Sequence, residues 1–113
     1  MLPRKNKITR AEFDKVFKSG RTYNSPLFTA RIAYINNTNA KFSCVVSKKV
    51  SKGSPNRHTI KRRVYSAIQK YILKLQPGTN CIIIMRPSLN IPTFDALDDS
   101  LKRIFKESKS LMQ

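Results

Sequence analysis

The only imidazole of the chain, His58, sits among cations: Lys48, Lys49 and Lys52 precede it, and Arg57, Lys61, Arg62 and Arg63 flank it. The carboxylates that would turn such a cluster into an acid–base or metal site lie elsewhere. Glu12 and Asp14 are near one end and Asp95, Asp98, Asp99 and Glu107 near the other, while Lys15 to Phe94 holds fifteen Lys and Arg and no Asp or Glu. Two-metal phosphodiester hydrolysis needs carboxylates to hold the ions. Cleavage of RNA by a histidine pair needs a second imidazole, and no Ser/His/Asp or Cys/His constellation can be assembled from these residues. Gly20, Gly53 and Gly78 are too far apart to form a phosphate loop. What remains is recognition. A formal net charge of +17 on 113 residues repels itself, and its natural counterpart is a polyanion, because each Lys or Arg placed on a phosphate releases condensed counterions. Nucleic acid is the leading partner, and if the protein helps to cut it, something else supplies the active site.

The element that positions the cationic cluster is legible. Ser54-Pro55 is an N-cap and first-turn pair, and Ile60, Val64, Ala67, Ile68, Tyr71, Ile72 and Leu75 recur at three- and four-residue steps as far as Pro77-Gly78. The cluster thus falls in the approach and first turns of the longest helix, where unpaired backbone N–H groups already favour anions. On a helical wheel His58, Lys61, Arg62 and Tyr65 share one flank beside the apolar stripe. A solvated face is the ordinary fate of a charge run, but cations at a helix N-terminus oppose its dipole. That uncorrected repulsion points to an anionic partner.

The other elements frame this helix. Thr9-Arg10-Ala11-Glu12 fits a capping box, with Phe13, Val16 and Phe17 following at helical spacing and Gly20 as terminator. Phe13 and Phe17 are either ordinary core residues or the lining of a groove where unpaired nucleotides stack. Arg21 to Asn24 predicts a short edge strand and Leu27 to Ile35 a longer one. The turn Asn36-Asn37-Thr38-Asn39 leads to a strand over Lys41 to Ser47, expected to pair antiparallel with the strand before it. Cys81 to Met85, apolar on both faces, suits a central strand parallel to the Lys41 strand. Thr93 caps a last helix whose Asp95, Asp98 and Asp99 precede Lys102, Arg103, Lys106 and Lys109, complementing the dipole, with Phe94, Leu97, Leu101, Ile104 and Phe105 expected to face inward. These carboxylates therefore have a structural explanation. The whole, residues 1–113 with 40% hydrophobic content, encloses one modest core and reads as a single nucleic-acid-binding α/β domain. Cys44 and Cys81 fall inside strands with no C-x-x-C spacing and read as small core hydrophobes. No signal-length apolar stretch follows the basic first residues, the longest apolar run is too short for a bilayer, and the cations are not gathered on an amphipathic terminal helix. No membrane association and a cytoplasmic location are expected.

Three segments together resemble the protein subunit of bacterial ribonuclease P. Glu12 to Gly20 resembles an F-x-x-V-F helix ending in glycine; Val46-Ser47-Lys48-Lys49-Val50 is similar to the V-S-K-K-V run leading into that family's basic helix. Cys81 to Met85 with Arg86-Pro87 resembles its apolar strand closing in Arg-Pro. The family signature R-N-R-x-K-R, with R-E three residues on, falls on Arg57-His58-Thr59-Ile60-Lys61-Arg62 and then Tyr65-Ser66. Arg57, Lys61 and Arg62 match; His58, Thr59 and Tyr65-Ser66 depart.

The resemblance implies a sandwich like domain 2 of ribosomal protein S5, in the order α-β-β-β-α-β-α, with a left-handed β-α-β crossover where the general rule is right-handed. It also implies that Lys48, Lys49, Lys52, Arg57, His58, Lys61, Arg62 and Tyr65 contact a catalytic RNA subunit. Phe13, Phe17 and Tyr34 would then hold the single-stranded 5′ leader of precursor tRNA. Mg²⁺ held by the RNA would serve the hydrolysis, with no metal on protein side chains and one protein monomer in the complex. A ribosomal or other structural RNA-binding protein would explain the charge equally well but not the paired motifs. A self-sufficient ribonuclease lacks its residues, and sequence-specific DNA binding lacks a second helix at helix-turn-helix spacing.

Overall fold

Thr9 and Glu12 close the first helix reciprocally. The Glu12 backbone N–H donates to Thr9 Oγ1 at 3.2 Å and the Thr9 N–H donates to Glu12 Oε1 at 2.9 Å, which starts α1 (Arg10–Ser19). The computed structural model describes residues 2–36, 39–46, 54–87 and 91–111, the side chains of Ser54 and Pro55 excepted. Along these, a 3₁₀ turn (Arg4–Asn6) and α1 are followed by β1 (Arg21–Asn24), β2 (Phe28–Tyr34), β3 (Lys41–Val45), α2 (Ser54–Gln69), a 3₁₀ turn (Ile72–Lys74), β4 (Thr79–Met85) and α3 (Phe94–Glu107). This is the expected α-β-β-β-α-β-α order.

The four strands lie in the order β1-β2-β4-β3, with β1/β2 and β2/β4 antiparallel and β3/β4 parallel. β3 therefore does not pair with β2 as the turn between them suggests; β4 lies between the two. The reason is in β4 itself: Cys81, Ile82, Ile83 and Met85 are all buried, so the strand needs a neighbour at each edge and a layer on each face. The crossover through α2 delivers it there. β4's central place and its parallel register with β3 are as expected.

One face of the sheet packs against α2 and α3. Ile60, Val64 and Ile68 of α2 and Leu97, Leu101 and Phe105 of α3 meet Phe28, Ile32, Phe42, Cys81 and Ile83 in a continuous core. On the opposite face Val16 and Phe13 of α1 pack on Ala33, Ile82 and Ile84. The sheet thus separates α1 from the other two helices. Cys44 and Cys81 are buried free thiols; burial pushes Cys44 up to about 12 and raises Cys81 as well, so neither has thiolate character.

Three local details differ from the sequence reading. α2 ends at Gln69 instead of running to Leu75, because i→i−3 bonds from Tyr71 N–H to Ile68 O and from Lys74 N–H to Tyr71 O tighten the chain into a 3₁₀ turn that still buries Tyr71 and Leu75. Ser54 is the first helical residue, not the residue before it. Phe94 opens α3 at 38% exposure and does not face inward with Leu97, Leu101, Ile104 and Phe105. The Asp98 carboxylate accepts from Tyr71 at 2.7 Å and from Lys70 at 3.0 Å. Partial burial pushes Asp98 up, but these hydrogen bonds outweigh it and leave the carboxyl lowered.

Candidate nucleic-acid interface

The residues read as one flank of α2 are brought together. His58, Lys61, Arg62, Tyr65 and Ser66 line a groove of about 220 Å³, as i, i+3, i+4 and i+7 spacing requires. His58, Lys61 and Arg62 are exposed, whereas Tyr65 is half-buried and packs against the core. Burial pushes the Tyr65 hydroxyl up against a backbone hydrogen bond at Cys44 that lowers it. Tyr65 is accordingly a fixed wall, and His58, Lys61, Arg62 and Ser66 are the exposed side chains of the groove. Lys61 also pulls on the Cys44 thiol, so the groove adjoins β3, the edge of the sheet. Arg57 is half-buried and does not line it. Lys48, Lys49 and Lys52 lie outside the described residues. No described carboxylate lines the groove, and among the described residues no group of three or more His, Cys, Asp or Glu is placed to hold a metal ion. A larger groove, about 500 Å³ between the first 3₁₀ turn and the end of α2, is lined by residues such as Pro3, Ile72 and Pro77 and contains none of these groups.

On the opposite side of the sheet, Phe13 and Phe17 stack with ring centroids 6.1 Å apart and planes inclined by 14°. Their environments differ: Phe13 is half-buried against the sheet and Phe17 is 41% exposed. The sequence reading did not include Arg31. Its guanidinium lies 4.9 Å from the Phe17 centroid, donates from Nε to Phe17 O at 3.0 Å and from Nη1 to Thr22 Oγ1 at 2.7 Å, and bonds Phe17 O through Nη2 as well. Tyr34 is not part of this groove. It shares the parity of the buried Phe28, Ala30 and Ile32 and reaches the end of α3, its hydroxyl donating to Ser108 O at 2.9 Å and lying 2.8 Å from Ser110 Oγ. The period of a strand puts Arg31 and Tyr34 on opposite faces, and the face toward α1 is Arg31's.

Glu12 closes the other end of α1 against the sheet. Its Oε2 is 2.7 Å from Lys41 Nζ, and this hydrogen bond, with those from Thr9, pulls the carboxyl down to about 2. Arg86 of the Arg-Pro pair is engaged structurally, donating to Ser25 O at 3.0 Å and Asn24 Oδ1 at 2.8 Å and so holding the β1–β2 turn.

A basic groove and an exposed aromatic stack thus flank one sheet, and residues 2–109 match the family model described as Ribonuclease P. The chain belongs to the ribonuclease P family. The ribonuclease P protein component of Pseudanabaena sp. (strain PCC 6903) is 31% identical over 113 residues, covering 98% of this chain and 97% of that protein. That of a Nitratiruptor species is 30% identical over 101 residues, covering 89% of each. Among solved structures, the RNase P protein of Staphylococcus aureus superposes with a TM-score of 0.80 at 20% identity over 95% of this chain and 98% of that one. The RNase P protein of Thermotoga maritima gives 0.74 at 20% identity over 87% and 92%. These likenesses establish the fold. Family membership gives the role: an RNA-binding protein subunit of the ribonuclease P ribonucleoprotein, in tRNA processing.

Proposed function

We propose that this protein holds the catalytic RNA of ribonuclease P on the α2 side of its sheet and the unpaired 5′ leader of precursor tRNA on the α1 side. The observation that carries the reading is the placement of the Lys61–Arg62 groove and the Phe13–Phe17 stack on helices packed against opposite faces of one sheet. A protein that merely coated one RNA would need only the first. His58, Lys61 and Arg62 meet phosphates, and each ionic contact adds affinity that salt weakens. Phe17 offers its ring to a base while Arg31 fixes the orientation of that ring, and stacking is indifferent to base identity, as a leader of variable sequence requires. Hydrolysis belongs to the RNA partner with its Mg²⁺, in keeping with a central stretch that has no carboxylate. The working complex contains one protein monomer and is cytoplasmic.

The test is to purify the protein with its bound RNA, identify that RNA, and assay precursor-tRNA cleavage by the RNA with and without the protein. The reading expects an RNA that removes the 5′ leader in Mg²⁺, better with the protein than alone, and no cleavage by RNA-free protein. Leader removal by the protein alone, or copurification of ribosomal RNA only, would overturn it.

A further inference from the structure

The adjoining flank of the basic part of α2, toward α3, carries a second groove that shares Arg62 and Ser66 with the one facing β3. Thr59, Arg62, Arg63 and Ser66 line it with Phe94, around a volume of about 380 Å³. Arg63 Nη1 donates to Pro92 O at 2.9 Å, which ties the segment before α3 to α2. Thr93 Oγ1 accepts the Ala96 N–H at 3.2 Å, which fixes the start of the helix that carries the ring. Phe94 is thus held in place, yet it remains 38% exposed, although the other apolar residues of its helix stripe are buried. A ring kept partly in water beside two guanidinium groups and two hydroxyls has the composition of a nucleotide site: π surface for the base, cations for the phosphate, hydroxyls for polar edges. The volume falls in the range of small-ligand clefts. Asp95 is exposed beside Phe94, so the phosphate is favoured at the Arg62–Arg63 end.

We infer that the groove between α2 and the start of α3 captures one unpaired nucleotide of the RNA docked on α2, its base stacked on Phe94. The inference rests on the assignment of α2 to RNA docking and extends that contact around the helix, with Arg62 and Ser66 lining both grooves. It makes the docked RNA's local structure matter: a looped-out base fits the groove and a continuous duplex does not.

The first experiment follows the aromatic and methyl resonances of the full chain by NMR during titration with single-stranded rA₄ and, separately, with an abasic ribose-phosphate tetramer. Both carry the same phosphates, and only rA₄ carries rings. The inference expects Phe94 and Thr59 to shift with rA₄ and not with the abasic chain. Equal responses to the two, or no response at Phe94, overturn it. The second measures affinity for the copurified RNA: Phe94→Leu is expected to weaken it about five-fold or more and Phe94→Tyr to leave it near wild type, with melting temperatures recorded for both. Equal affinity of the Leu and Tyr variants overturns the inference. If Phe94→Leu fails to fold, the tyrosine variant and the wild-type titration decide. Loss of affinity in Lys61→Ala/Arg62→Ala with no loss in Phe94→Leu removes this inference alone; no loss in the double variant removes the docking assignment beneath it.

Discussion

Phe17 is an exposed ring that the fold goes to some length to keep in position: Phe13 stacks under it and Arg31 crosses it while bonded to its carbonyl. Phe17→Leu keeps apolar bulk and removes the flat π surface, so binding of precursor relative to mature tRNA by the reconstituted holoenzyme is expected to fall. The expected loss is roughly 1–3 kcal/mol, with melting temperature little changed. An unchanged ratio with a large drop in stability would return Phe17 to the core. Glu12 gives a second test at this scale. Its folded carboxyl sits at about 2 against an ordinary 4.5, so its stabilising contribution is present above 4.5 and fades as pH falls toward 2. Because the Lys41 pair is partly exposed, 17% and 33% for the two side chains, Glu12→Gln is expected to cost only about 0.5–1 kcal/mol near neutrality. Urea melts at pH 7 and pH 3 check that the gap between variant and wild type narrows on the acid side. At this scale the sequence was legible where local rules act alone: the Thr9–Glu12 box is a four-residue pattern and formed as read. It misled where two elements must be combined. Tyr34, which the resemblance groups with Phe13 and Phe17, lies on the face toward α3, as alternation from the buried Phe28, Ala30 and Ile32 requires, and leaves Arg31 for the other.

Gly20 shows how an element boundary governs a site. Its φ of −76° suits any residue, so its necessity is steric: a Cβ there would lie 2.9 Å from Val16 O and 3.2 Å from Ile32 N, both backbone atoms. Gly20→Ala must therefore move the end of α1 away from β2, the strand that carries Arg31. We expect a loss of about 1–3 kcal/mol accompanied by weaker precursor-tRNA binding, with affinity for the RNA docked on α2 preserved because that helix packs on the other face. Equilibrium unfolding and separate titrations with the two RNAs would show it; parallel loss of both affinities would mean that the two faces are not independent. Gly78 is required for a different reason, a φ of +91° together with a Cβ position 2.7 Å from Ile35 O, and Gly78→Ala is expected to be destabilising without discrimination between the RNAs. Elements were the most legible level, since caps, periodicity and a doubly apolar strand are local signals. The pairing of β3 was not, because a turn between two short strands reads as a hairpin whether or not a later strand enters between them. Only the need to cover both edges of β4 decides it.

For the whole molecule, a sheet with one helix on one face and two on the other makes the two proposed RNA contacts mechanically separable. Lys61→Ala with Arg62→Ala removes exposed cations from the α2 groove, so it is expected to weaken assembly with the RNA subunit and to lower the slope of log K against log salt by about two at most. At saturating protein, the rate of the cleavage step is expected to match wild type, because nothing on the α1 face has changed and the proposed function assigns the chemistry to the RNA. Fluorescence titrations at several salt concentrations, followed by single-turnover cleavage at saturation, separate the two quantities. Unchanged affinity and slope with abolished cleavage would place these residues in the chemistry and not in docking.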